Sequence, residues 1–298
     1  MPIDDDISLD GTIAMDTAKT WHDAAVRDLH DLLVADPAIE TLALVGSGAR
    51  GQLDAWSDLD VLIVVRPAAF VRFFPALDWL APLGRIYAFE QHHHEEDRGV
   101  SRVCFDELRR IDVIVTTEAA LIRPDAASAL PLGDGARVLF SRRPAVDAVL
   151  AQDHASPVPH VSDDAFDSLA NGFWFKATVA VQKVVRGDLL VAFHLSLELV
   201  QECCVLAMML RDRETGRTVH RDGVGNEAVT ALAAISRPNT PDGMLDTIEE
   251  SVVAFDRLAA RWSVTYLDRR HPLRAWVSAA RRDLAGEAGR ESEPPVWL

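Results

Sequence analysis

The chain has 298 residues, enough for two domains or one large one, and 49 % of them are hydrophobic, which supplies ordinary globular cores. Its formal net charge of −16 argues against a nucleic-acid partner, which requires a basic surface; it suits a cationic small substrate, or simple solubility. No apolar run approaches the ~20 residues that span a bilayer, and the acidic start MPIDDDISLD lacks the basic-then-apolar layout of a secretory leader. The expectation is therefore a cytoplasmic protein without membrane attachment.

Residues 1–15 read as a loose leader. Trp21, Ala25, Leu29, Leu32 and Leu33 recur at helical spacing and predict an amphipathic helix over 17–35. Apolar, β-branched runs predict strands near 41–46, 59–65, 85–90, 100–105 and 110–116, with a helix over 70–80, a short helix over 118–121 and an edge strand over 138–140. Pro157 and Pro159, among polar residues, mark a linker over 151–161. Beyond it the pattern is helical: 162–186, 188–210, 245–267 and 272–284, with a Gly-rich, charged loop over 211–226 and a loose tail from 286. The fold class is α/β (α+β) with a mixed sheet, followed by an all-helical C-terminal bundle. The domains are 1–155 and 160–298. Cys104, Cys203 and Cys204 show neither metal-ligand spacing nor a disulfide framework and read as reduced core residues.

The most informative stretch is LVGSGARGQLDAWSDLDVLIVV, residues 44–65. One apolar strand runs into Gly46 and Ser47, and a second opens with Asp58 and Asp60. Residues two apart on a strand share a face, so the two carboxylates project side by side, repel each other and call for a hard divalent cation such as Mg²⁺. Gly46 and Gly48 permit positive φ and close backbone approach, and Ser47 and Arg50 add a hydroxyl and a forked cation suited to phosphate. A phosphate cradle beside a metal dyad suits nucleotidyl transfer from a nucleoside triphosphate.

With Gly46, Ser47, Ala49, Arg50, Gly51, Ser57, Asp58 and Asp60 in these places, the stretch resembles the signature of polymerase-beta-like nucleotidyltransferases. The resemblance implies a third carboxylate on a later strand, acting as metal ligand, general base or both. Asp112, the charge inside the run 110–116, is the candidate; an ion pair with Arg102, Arg109 or Arg110 is the competing reading. The catalytic domain followed by a helical bundle, the phrase Arg110-Ile111-Asp112, and the helix carrying Phe173-Trp174-Phe175, Lys183 and Arg186 together resemble the streptomycin-type aminoglycoside adenylyltransferases. That implies ATP as co-substrate, Mg²⁺, and a small cationic acceptor. Gly46, Ser47, Arg50, Ser57, Lys183 and Arg186 would then bind nucleotide, and Asp58, Asp60 and Asp112 would hold metal and carry catalysis. Lys183 is expected to reach a triphosphate and Arg186 to share that role or pair with Asp188. Glu90, His194 and Glu198 are candidates for the acceptor, the last two sharing a helix face.

His92, His93 and His94 with Glu95 and Glu96 read as a solvated loop, because zinc spacing is absent. Trp56 either stacks on a ligand or packs. The alternative functions are nucleotidylation of a lincosamide-like antibiotic or a protein side chain, and a catalytically silent nucleotide-binding regulatory module.

Overall fold

The computed structural model describes residues 15–54, 56–106, 109–123, 135–152, 158, 160–218, 223–232 and 238–287, with side chains except at 15–20, 94, 95, 230 and 231. The expected leader, most of the linker and the tail beyond 287 lie outside the described residues. The chain forms two compact units, Met1–Ser156 and Pro157–Leu298.

The first unit contains α1 (Met15–Val34), β1 (Ile39–Leu44), α2 (Gly46–Ala49), β2 (Leu59–Val65), α3 (Phe70–Phe73), β3 (Ile86–Glu95), β4 (Arg98–Phe105), β5 (Arg110–Thr117), α4 (Glu118–Leu121), β6 (Arg137–Ser141) and α5 (Pro144–Leu150). Its six strands lie in the order β3-β4-β5-β2-β1-β6, with β2 and β5 parallel and the other pairings antiparallel. β2 is central and buried on both faces. Leu59, Val61, Ile63 and Val65 face the core under α1 and α3, while Leu62 and Val64 face a second core with Ile114, Leu121, Val146 and Leu150. Both sides of the period-2 alternation are thus apolar until Asp60, which occupies the second face at the strand's open end.

Several sequence expectations shift. The helix expected over 70–80 shrinks to α3 and a 3₁₀ segment at Asp78–Leu83, because Phe74 precedes Pro75 and is extended. β3 runs on through Glu95, so the histidine run is strand and not loop; the ring of His93 lies 5.4 Å from that of Phe74. Aromatic contact and pairing with β4 outweigh the polar composition there.

The second unit comprises α6 (Asp163–Val185), α7 (Leu189–Thr215), α8 (Glu227–Leu232), α9 (Pro241–Trp262) and α10 (Arg270–Glu287) around one core that includes Phe173, Leu199, Cys203, Phe255 and Val277. Ser162 and Thr240 cap α6 and α9, accepting from the amides of Ala165 and Gly243. α7 continues past 210 to Thr215, and α8 follows the expected loop, where the sequence reading placed no element. By length and composition alone, α7 is apolar enough to cross a membrane, contrary to the reading of the sequence. Ala192, Ser196, Leu199, Cys203, Leu206 and Leu210 of α7 are buried in the helical core. Cys203 is buried, Cys104 and Cys204 half-buried, and all three are free thiols.

Candidate active site

β-sheet register assembles the site. Glu90 on β3 lies opposite Arg102 on β4, Arg102 opposite Asp112 on β5, and Asp112 opposite Asp60 on β2. Four charged residues therefore form one cross-strand row on one face. Asp58, just before β2, joins the row's end. Oxygens of Asp58, Asp60 and Asp112 lie within 4.8 Å of one another, and all three residues are half-buried.

Two arginines meet this cluster. Arg110 Nη2 lies 3.1 Å from Asp58 Oδ2, and Arg102 Nε lies 3.2 Å from Asp112 Oδ2. The ion-pair reading of Asp112 is thus realised, through Arg102, without removing Asp112 from the carboxylate cluster. Arg102 also reaches Glu90 at 3.5 Å, and His92 Nε2 lies 3.2 Å from the same carboxylate. Burial, then the charges of Asp58 and Asp112, push Asp60 up to about 7, against an ordinary 3.8. Asp112 is also raised, by burial and then Asp58, while Arg102 and Arg110 pull it back. The residues present fit a hard divalent cation: three convergent, partly desolvated carboxylates crowd each other to the point where one retains its proton near neutrality.

The loop before β2 closes around Asp60. Gly46 has φ +56°, and a Cβ there would collide with Asp60 Oδ2, so glycine is needed for both reasons. The expected second positive φ falls at Gly51 and not at Gly48, because residues 46–49 form a helical turn in which Gly48 is buried. Ser47 is buried in the same turn, and Arg50 Nε donates to Gln52 Oε1 at 2.9 Å. Ser57 belongs to a compact turn with Asp54: Ser57 Oγ donates to Asp54 Oδ1 at 2.9 Å, and Trp56 N donates to the same oxygen at 2.9 Å. Trp56 itself is 85 % exposed, so it fills no core.

In the second unit, Lys183 Nζ lies 2.6 Å from Asp188 Oδ2; the pairing considered for Arg186 is taken by Lys183. His194 Nε2 lies 3.4 Å from Glu198 Oε1, the i,i+4 contact expected on α7. Lys176 on α6 joins them, 3.0 Å from Glu198 and 2.5 Å from Glu202.

A family model described as streptomycin adenylyltransferase matches residues 26–211, more than half of the chain and inclusive of the whole carboxylate row. The chain belongs to the streptomycin adenylyltransferase family. It is accordingly a nucleotidyltransferase, a transferase enzyme. None of the curated proteins matches the sequence. Among solved structures, the chain is similar to an aminoglycoside 6-adenyltransferase from Bacillus subtilis, at 13 % identity and TM-score 0.35, covering 87 % of this chain and 98 % of that one. It is also similar to spectinomycin adenyltransferase AAD(9) from Enterococcus faecialis, solved with ATP and spectinomycin, at 12 % identity and TM-score 0.33, covering 89 % and 98 %. A nucleotidyltransferase-like protein from Exiguobacterium sibiricum follows at 11 % identity and TM-score 0.30, covering 88 % of each chain.

Two side chains of this streptomycin adenylyltransferase family member escaped the sequence reading. Lys176 sits in an apolar helix and shows its partners only when α6 and α7 pack. His22 is one of two histidines on α1, and nothing local in the sequence marks it; in the structure it is buried, with Nε2 3.0 Å from the carbonyl oxygen of Ser57.

Proposed function

We propose that this family member transfers the adenylyl group of ATP, with Mg²⁺, to a hydroxyl of a small cationic acceptor of the aminoglycoside type. The observation that carries this reading is the convergence of Asp58, Asp60 and Asp112 oxygens within 4.8 Å at one end of the sheet. These three residues would hold the divalent ion, which when bound neutralises triphosphate charge and makes the attacking oxygen more acidic.

The chain's own groups then have separable work. A carboxylate oxygen of Asp112 takes the proton of the acceptor hydroxyl; its raised pKa suits a base, and Arg102 fixes its orientation. The acceptor oxygen bonds to the α-phosphorus, the bond from that phosphorus to the bridging oxygen breaks, and pyrophosphate leaves. Ser47, Arg50 and Ser57 are assigned to the phosphates, where Gly46 keeps the backbone close. Lys183 and Arg186 are assigned there by charge, which requires Lys183 to leave Asp188. Glu198 and His194, with Glu202 and Glu90, are assigned to acceptor ammonium and hydroxyl groups, in keeping with the charge of −16.

The test is incubation with ATP, Mg²⁺ and a panel of aminoglycosides, streptomycin first, followed by mass spectrometry. The expected result is a gain of one adenylyl group by an acceptor, with pyrophosphate released. If no member of the panel gains it, the acceptor class is wrong; if no pyrophosphate appears with any antibiotic or protein acceptor, the transfer itself is wrong.

A further inference from the structure

The three site carboxylates are not held equally. Asp60 and Asp112 lie within β2 and β5, in register with each other, and the Asp60 carbonyl accepts from the Val45 amide at 3.1 Å. The sheet ladder therefore fixes both backbones. Asp58 precedes the first residue of β2 and has no place in that ladder. Its backbone direction is set by the peptide it shares with Ser57, and therefore by where the Ser57 carbonyl points.

That carbonyl is tied to α1. The Nε2 of His22 lies 3.0 Å from the Ser57 oxygen, across 35 residues of sequence. The ring is 3 % exposed, edge-on to Trp21 at 5.0 Å, and its Nδ1 has no hydrogen-bond partner. A carbonyl can only accept, so Nε2 carries the proton. A neutral ring then leaves Nδ1 as a bare acceptor, whereas a charged one would bury an unpaired N–H. The other side of the turn is closed by its own bonds: Ser57 N donates to Asp54 O at 3.2 Å and Asp54 N to Ser57 Oγ at 3.0 Å.

We infer that His22 is a positioning residue for metal binding: its Nε2–H, by fixing the Ser57 carbonyl, aims the carboxylate of Asp58 into the cluster with Asp60 and Asp112. His22 touches neither substrate nor ion; it acts through the peptide bond before Asp58, as groups behind a metal ligand do elsewhere. The inference rests on the metal reading of the carboxylates proposed above.

The test measures Mn²⁺ binding directly, by calorimetry and electron paramagnetic resonance on the full chain, for wild type, Asp58→Asn, His22→Leu, His22→Gln and His22→Asn, with thermal melting alongside. Gln places an amide N–H near the position of Nε2; Leu keeps volume without a donor; Asn is too short to reach. His22→Leu and His22→Asn should weaken Mn²⁺ binding on the order of 10–100-fold, and His22→Gln should restore it to within a few-fold of wild type. The Mg²⁺ concentration giving half-maximal transfer should rise in the same order. Should His22→Leu fail to fold, the Gln and Asn pair decides. Equal Mn²⁺ affinity in Gln and Asn, or wild-type affinity in a folded His22→Leu, would overturn the inference and leave the metal reading standing, with Asp58→Asn still defective. If wild type itself binds no Mn²⁺, the metal reading falls and the inference with it.

Discussion

Each unit of this protein buries a carboxylate whose pKa is raised, and the two are handled in opposite ways. In the first, Asp60 is pushed up to about 7 by burial and by two further carboxylates beside it. In the second, burial raises Asp256 to about 6, and its neighbours are a tyrosine and an arginine. The Tyr266 hydroxyl donates to Asp256 Oδ1 at 2.6 Å, the Trp174 indole donates to Tyr266 Oη at 2.8 Å, and Arg270 Nε lies 2.9 Å from Asp256 Oδ2. Arg270 is shared with Asp268, which it holds below the usual carboxylate range. A raised carboxyl is therefore not a site by itself. The Asp256 group is met by Tyr266 and Arg270 at the turn between α9 and α10; the Asp60 group sets three carboxylates against Arg102 and Arg110, the imbalance that the proposed cation would relieve.

The largest expected effects separate these roles. Asp60→Asn and Asp58→Asn should each lower the transfer rate by more than about a hundredfold, by loss of a ligand in a positioned set. Their melting temperatures should hold or rise, because carboxylate repulsion is relieved. Asp256→Ala should do the reverse: it strands Arg270 and Tyr266 and should lower stability by roughly 3–5 kcal/mol, while the folded fraction keeps its specific activity. Rates and denaturation curves on the same preparations check both. A severely unstable Asp60→Asn would erase the distinction.

Gly46→Ala comes next. Its Cβ would push on Asp60 Oδ2 and hold a non-glycine residue at φ +56°. The backbone strain should cost about 1–2 kcal/mol of stability, measured by denaturant unfolding. Transfer should fall at least about tenfold, since small misplacements of catalytic groups are expensive.

The pH dependence sharpens the comparison further. Asp60 titrates at about 7 when folded and near 3.8 when unfolded, so the folded state holds the proton more tightly. That stabilisation is complete below about pH 4 and is lost as pH rises through 7. Without added metal, wild type should therefore lose stability from pH 5 to pH 8, and Asp60→Asn should lose less. Asp256 contributes the same sign and finishes by about pH 6, but it is present in both proteins, so the difference between wild type and Asp60→Asn should accumulate from about pH 4 and level off above about pH 7. Urea unfolding at pH 5, 6.5 and 8 measures this.

The smallest effect is assigned to Lys183→Ala. Because Lys183 spends charge on Asp188, its removal should weaken ATP binding only a few-fold, and calorimetry should show acceptor binding alone unchanged.

Much of this was legible in the sequence for a physical reason. Gly46, Ser47, Asp58 and Asp60 lie close along the chain, so their geometry follows from strand alternation and turn chemistry. The long helices carry apolar periodicity, and Ser162 sits where a helix start requires; α9, expected over 245–267, instead opens at Pro241 behind its Thr240 cap and ends at Trp262. What escaped depends on distant pairing. The choice of Arg102 for Asp112 and Arg110 for Asp58 is set by the register of β4 and β5, which composition does not encode. The strand through His92 and His93 depends on Phe70 and Phe74 packing beneath it. His22 needs the whole first unit to be folded before its partner, 35 residues away, is in reach.

The central claim is that Asp58, Asp60 and Asp112 form one metal centre for nucleotidyl transfer. Anomalous diffraction from crystals of the wild-type protein grown with Mn²⁺ and a non-hydrolysable ATP analogue tests it most directly. The account predicts an anomalous peak bounded by carboxylate oxygens of all three residues, with the α-phosphate of the analogue beside it, and no such peak in Asp60→Asn. A nucleotide bound with its metal held elsewhere, or a peak unchanged in Asp60→Asn, would contradict it.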